Sequence, residues 1–158
     1  MTDRALLALA PLRTKGETHM PQDQIFFPMG ALALLTFLVL TLIPFRRFRS
    51  AFAGETAAAD YKFGESAKVP GHVSIPNRNY MNLLEMPVLF YVVCLMLHQA
   101  GRVDATFLTL AWVYVGLRIG HSLVHVTYNH VMHRLALFAT SNFVVGAMWA
   151  LFFWPLVG

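Results

Sequence analysis

Residues 25–45, IFFPMGALALLTFLVLTLIPF, contain no charged side chain. At the rise of a helix this run is long enough to cross a hydrocarbon layer of about 30 Å. Three further apolar runs follow. Tyr80 to Leu97 is interrupted only by Asn82 and Glu85; Ala105 to Tyr128 contains Arg118, His121 and His125; Leu135 to Val157 is again uncharged. None alternates strictly between apolar and polar residues, so a membrane barrel of short strands does not fit. The pattern predicts an all-α integral membrane protein. Composition agrees: 57% of residues are hydrophobic and 13% charged, against about 25% charged in soluble domains. The formal net charge is +4, but the bases gather at the ends of the apolar runs. There they serve as topology signals and headgroup anchors, and no nucleic-acid partner is implied. A single cysteine, Cys94, rules out an intrachain disulfide.

The second connection, HQAGRVDA, offers Gly101 as a helix terminator and Asp104 as an N-cap. The third, around YNHVMHR, is equally short. Short links join antiparallel neighbours, which gives an up-down-up-down four-helix bundle. The first connection carries Arg46, Arg47, Arg49, Lys62, Lys68 and Arg78, and the third adds Arg134, whereas the second has only Arg102. The positive-inside rule then puts the first and third connections in the cytoplasm and both termini on the opposite side. Arg4, Arg13 and Lys15 precede the first span and run against this orientation, which is resolved if translation starts at Met20. The expected organisation is an N-terminal extension over residues 1–23 and a membrane domain over 24–158. Its spans lie at about 25–45, 78–98, 104–128 and 134–157.

The polar residues inside these spans carry the chemistry. In a helix Arg78, Asn82 and Glu85, spaced by four and three, share one face, as do Arg118, His121 and His125. A charged side chain at the centre of a membrane helix costs about 2.5–3.5 kcal/mol on insertion scales. Polar contacts between helices are the plain explanation for any one of these residues taken singly. Two complete stripes, with Arg134 swung over the same mouth by a turn at Asn129 to His133, suit a small ligand bearing carboxylates and an ammonium group. Arginine takes carboxylates in bidentate geometry, Glu85 suits the ammonium, and a remaining arginine favours a ligand thiolate. Glutathione fits that description, with an apolar co-substrate arriving from the bilayer. A metal site on His121 and His125, with His130 and His133 nearby, is the rival, but no carboxylate completes its shell. No metal is expected.

RNYMNLLEMP resembles the Arg-x-x-x-Asn-x-x-Glu signature on the second helix of the MAPEG family (membrane-associated proteins in eicosanoid and glutathione metabolism). RIGHSLVH is similar to that family's third-helix pattern, and RLALFATS to the segment that opens its fourth helix. The resemblance implies a homotrimer of four-helix bundles with glutathione bound between subunits as co-substrate. It implies that Arg78, Asn82, Glu85, Arg118, His121 and His125 contact glutathione, that Arg46 reaches it from the adjacent subunit, and that Arg134 stabilises the thiolate. Two positions depart from the pattern: Met86 and His125 stand where the family often has tyrosine. The implied activity is glutathione transfer to a lipophilic electrophile, or reduction of a lipid hydroperoxide. The competing reading is a non-catalytic protein of the same fold that binds a lipid or a protein partner. Four spans without internal repeats make a transporter a poor fit.

Overall fold

The computed structural model describes residues 20–157. Most of the expected N-terminal extension, residues 1–19, lies outside the described residues. A 3-10 turn, Gln22–Ile25, leads into α1 (Phe26–Phe52); α2 (Gly71–Leu84), α3 (Pro87–Gln99), α4 (Ala105–Val126) and α5 (Val131–Val157) follow. The described residues contain four stretches long and apolar enough to cross a membrane, with α2 and α3 sharing one of them.

Each boundary has a local cause. α1 buries Pro28, Leu32, Val39 and Ile43 on one side and continues past the uncharged run to Phe52, with Pro44 inside it. The second span breaks at Glu85 and Met86 because Pro87 has no N–H and its ring crowds the turn before it. Tighter bonds from Val88 N to the Glu85 carbonyl and from Leu89 N to the Met86 carbonyl carry the chain across the break. The sequence reading had treated this span as one helix; Pro87 makes it two. At the end of α3, Gly101 takes φ +62° while Arg102 N bonds the Leu97 carbonyl and Gly101 N the His98 carbonyl. This is the paired closure that favours glycine after a helix. Asp104 then caps α4, its Oδ1 accepting from Phe107 N at 2.9 Å. The turn into α5 uses Asn129 at φ +50°.

α4 is the central element, packing on α1, α2 and α5, while α3 lies against α5. Phe90 stacks on Tyr114 with ring centroids 4.6 Å apart, and Val93, Leu97, Val115 and Met148 fill the space around them. Trp149 Nε1 donates to the Leu89 carbonyl across α5 and α3. At one end, Gln22 pairs with the Val103 backbone, His98 meets Asp23, and Arg102 reaches the Phe152 carbonyl. The opposite end gathers the close of α1, the start of α2, the close of α4 and the start of α5. Large apolar side chains point outward along the spans, among them Phe27, Phe37, Phe143 and Trp154. An apolar exterior over an interior that includes polar groups is the arrangement lipid requires.

Candidate functional site

The polar face of α4 turns inward. Arg118, His121, Ser122 and His125, one helical face by spacing, are each no more than 2% exposed. The Arg118 guanidinium donates through Nη2 to the backbone carbonyl of Asn82. That carbonyl belongs to the last turn of α2, whose terminal C=O groups have no helical partner. The break before Pro87 therefore supplies an acceptor, and the negative end of the α2 dipole faces the cation. Arg118 also lies 5.6 Å above the Phe138 ring. One turn further along both helices, Ser122 Oγ donates to Asn79 Oδ1 at 3.3 Å.

These contacts leave much of the cluster unused. Arg118 Nε and Nη1, Asn79 Nδ2, His121 Nδ1, His125 Nδ1 and Tyr114 Oη are buried with no hydrogen-bond partner among the described residues. Burying a polar group without a partner costs roughly 1–3 kcal/mol, more when it is charged. His121 and His125 sit edge to face, 5.6 Å between ring centroids. Arg134, in the first turn of α5, donates through Nη1 to Asn129 Oδ1 at 2.7 Å, and its Nε lacks a partner. Direct contacts thus join four of the eight residues singled out in the sequence: Arg118 bonds the Asn82 carbonyl and shares the Phe138 ring with His121, which meets His125.

The two stripes do not, however, face each other. Arg78 and Glu85 are exposed on the outside of the chain and Asn82 is half-buried. Among the described residues Glu85 forms no salt bridge. The inward face of α2 is instead Val73, Pro76, Asn79 and Leu83. Arg46 stands apart: it donates to the His72 carbonyl at 3.1 Å, in a groove shared with Arg49 and Glu55. His130 and His133 lie tilted against each other at the surface, 4.4 Å between ring centroids. Among the described residues no group of three or more His, Cys, Asp or Glu is placed to hold a metal ion. Sequence reasoning passed over Asn79, Ser122 and Tyr114. The signal for Asn79 was present, since it completes the Val73–Pro76–Leu83 face at helical spacing.

The architecture defines an integral, multi-pass membrane protein: four helical spans, with one fully buried arginine among buried polar groups that lack partners among the described residues. The chain belongs to the MAPEG family, whose model matches residues 25–154. No curated protein and no solved structure matches it significantly.

Proposed function

We propose that the chain binds glutathione, or a related small thiol, where α2, α4 and α5 meet, and uses it on a lipophilic second substrate drawn from the bilayer. The reaction is thiol addition to an electrophile or thiol-dependent reduction of a lipid hydroperoxide. The observation that carries this reading is Arg118, fully buried, with two guanidinium nitrogens that lack a partner and no carboxylate bonded to it among the described residues. A protein keeps such a cation at the cost of several kcal/mol of desolvation, and a ligand carboxylate offsets that cost. In this reading His121 and His125 contact the ligand beside Arg118. Arg78 and Asn82 hold its backbone, and Glu85 takes its ammonium group. Arg134 stabilises the thiolate, an electrostatic contribution commonly worth a few kcal/mol in a transition state. The exposure of Arg78 and Glu85 at the perimeter favours a site completed by a neighbouring copy in a homotrimer, with Arg46 supplied across that boundary. The basic residues of the first and third connections support a cytoplasmic mouth.

Glutathione titrated into the detergent-solubilised protein should raise a saturable thiolate absorbance in the ultraviolet that Arg134→Ala abolishes. Absence of the signal from both proteins overturns the thiol reading and leaves the non-catalytic lipid- or partner-binding protein.

A further inference from the structure

The connection between α1 and α2, residues 53–70, folds back along the end of α1. Arg47 fixes it there: Nη2 donates to Glu65 Oε1 at 3.0 Å, and the guanidinium lies 4.6 Å over the Tyr61 ring. Between helix and loop runs an open groove of about 450 Å³, within the range of roughly 300–1,000 Å³ typical of small-molecule sites. Ile43, Pro44, Phe48 and Ala51 form its α1 wall, and Ala57, Ala58 and Tyr61 its loop wall.

The depth of this groove is set by α1. Ile43 and Pro44 lie in the last turn of the uncharged run, and Arg46 and Arg47 follow at once. The groove therefore straddles the border between hydrocarbon and headgroups, and it is continuous with the lipid-facing surface of the span. The surrounding chemistry matches that border. Phe48, Phe52 and Phe63 are 64%, 90% and 93% exposed although they lie beyond the apolar run. Lys62 Nζ stands 5.1 Å from the centre of the Phe63 ring. Arg49, Lys62 and Lys68 are exposed and form no salt bridge among the described residues. Exposed aromatics flanked by free bases are the composition of a surface that lies on an anionic leaflet. Arg47 Nε and Tyr61 Oη, both donors, have no partner among the described residues, so an oxygen-bearing ligand suits the groove better than a pure hydrocarbon.

We propose that this groove binds one acyl chain of an anionic glycerophospholipid from the adjacent leaflet, with its headgroup beside Arg47 at the groove wall and Lys62 next to it. The site is separate from the α2–α4–α5 cluster and stands or falls independently of the thiol reading. The test is native mass spectrometry of the delipidated full chain, titrated with dioleoylphosphatidylglycerol and, separately, with dioleoylphosphatidylcholine. The wild type is expected to hold one phosphatidylglycerol per chain, about tenfold more tightly than phosphatidylcholine. Ala58→Trp and Ala51→Trp, which fill the groove from its two walls, should weaken it at least about tenfold with unchanged circular dichroism. Lys62→Gln should weaken the headgroup preference and leave a bound lipid. If a Trp variant loses helical signal, Ala58→Leu decides by the same comparison. Equal retention by wild type and groove-filled variants, binding blind to headgroup charge, or no retained lipid overturns the proposal. A fall in oligomer mass in the Trp variants also overturns it, by assigning the groove to a second copy of the chain.

Discussion

Arg118 is where stability and function separate most cleanly. Its guanidinium is held by one backbone carbonyl and an aromatic face, with no carboxylate bonded to it. Replacing a buried charge by a well-packed apolar side chain of similar volume is often neutral or stabilising by about 1–4 kcal/mol. Arg118→Met should therefore leave the thermal midpoint unchanged or higher, while glutathione affinity, followed by calorimetry, falls at least about tenfold. A midpoint that drops sharply would mean that Arg118 is a structural cap on α2 rather than a ligand group. Asn129 offers a second test at the same scale. It supplies both a left-handed backbone and the oxygen bonded to Arg134. Asn129→Gly keeps the backbone conformation and removes only that oxygen. Asn129→Ala also strains a φ of +50°, at roughly 1–2 kcal/mol. If Asn129 positions Arg134, both variants should lower the thiolate absorbance of bound glutathione, and only the alanine variant should also lower the thermal midpoint.

The break between α2 and α3 is the element on which the cluster depends, because it frees the Asn82 carbonyl that Arg118 uses. Pro87→Ala restores the missing N–H and removes the ring, which lets one continuous helix form through residues 85–87. Helicity by circular dichroism should rise slightly, and thiol binding should weaken by on the order of tenfold as Arg118 loses its acceptor. An unchanged affinity would show that the break serves packing alone. The same segment shows what was legible in the sequence and what was not. The four spans, the Asp104 cap and the Gly101 terminus could be read directly, because each rests on a local rule: run length, a side-chain acceptor, a positive φ. The grouping of Arg118, His121 and His125 was legible by periodicity. Periodicity does not say which of two adjacent polar faces turns inward, and on α2 the structure buries Asn79 and exposes Arg78 and Glu85. That choice is made by packing against α4, where Ser122 bonds Asn79, and tertiary packing leaves no mark on a single helix's spacing.

At the scale of the whole molecule, the outward polar residues require explanation. Arg78 and Glu85 face away from the bundle on the second span, and polar side chains facing lipid tails are costly enough to be rare. A neighbouring copy would remove that cost. The apolar surface contains a matching feature: a shallow groove on α5 lined by Ala139, Asn142, Phe143, Gly146, Ala147 and Ala150. No atom within 4 Å meets a Cβ built at Gly146, nor at Gly30 or Gly116. By contrast, Gly120 is the glycine used for close packing inside the chain, with Leu137 at 3.6 Å. Small residues left open on the outside allow a second helix backbone to approach closely, and this drives helix association in lipid, where hydrophobic attraction is absent. Filling the groove with Gly146→Leu should leave each four-helix chain folded, because Gly146 is exposed and a Cβ added there meets nothing within 4 Å among the described residues. If the groove is a subunit contact in the proposed homotrimer, the oligomer mass measured by light scattering in detergent should fall toward that of one chain. Glutathione binding should fall with it if Arg46, which bonds the His72 carbonyl in its own chain, serves a neighbouring copy's cluster. A variant that stays trimeric with binding intact would place the subunit contact elsewhere on the surface. A variant that becomes monomeric yet binds normally would show that one chain holds the whole site.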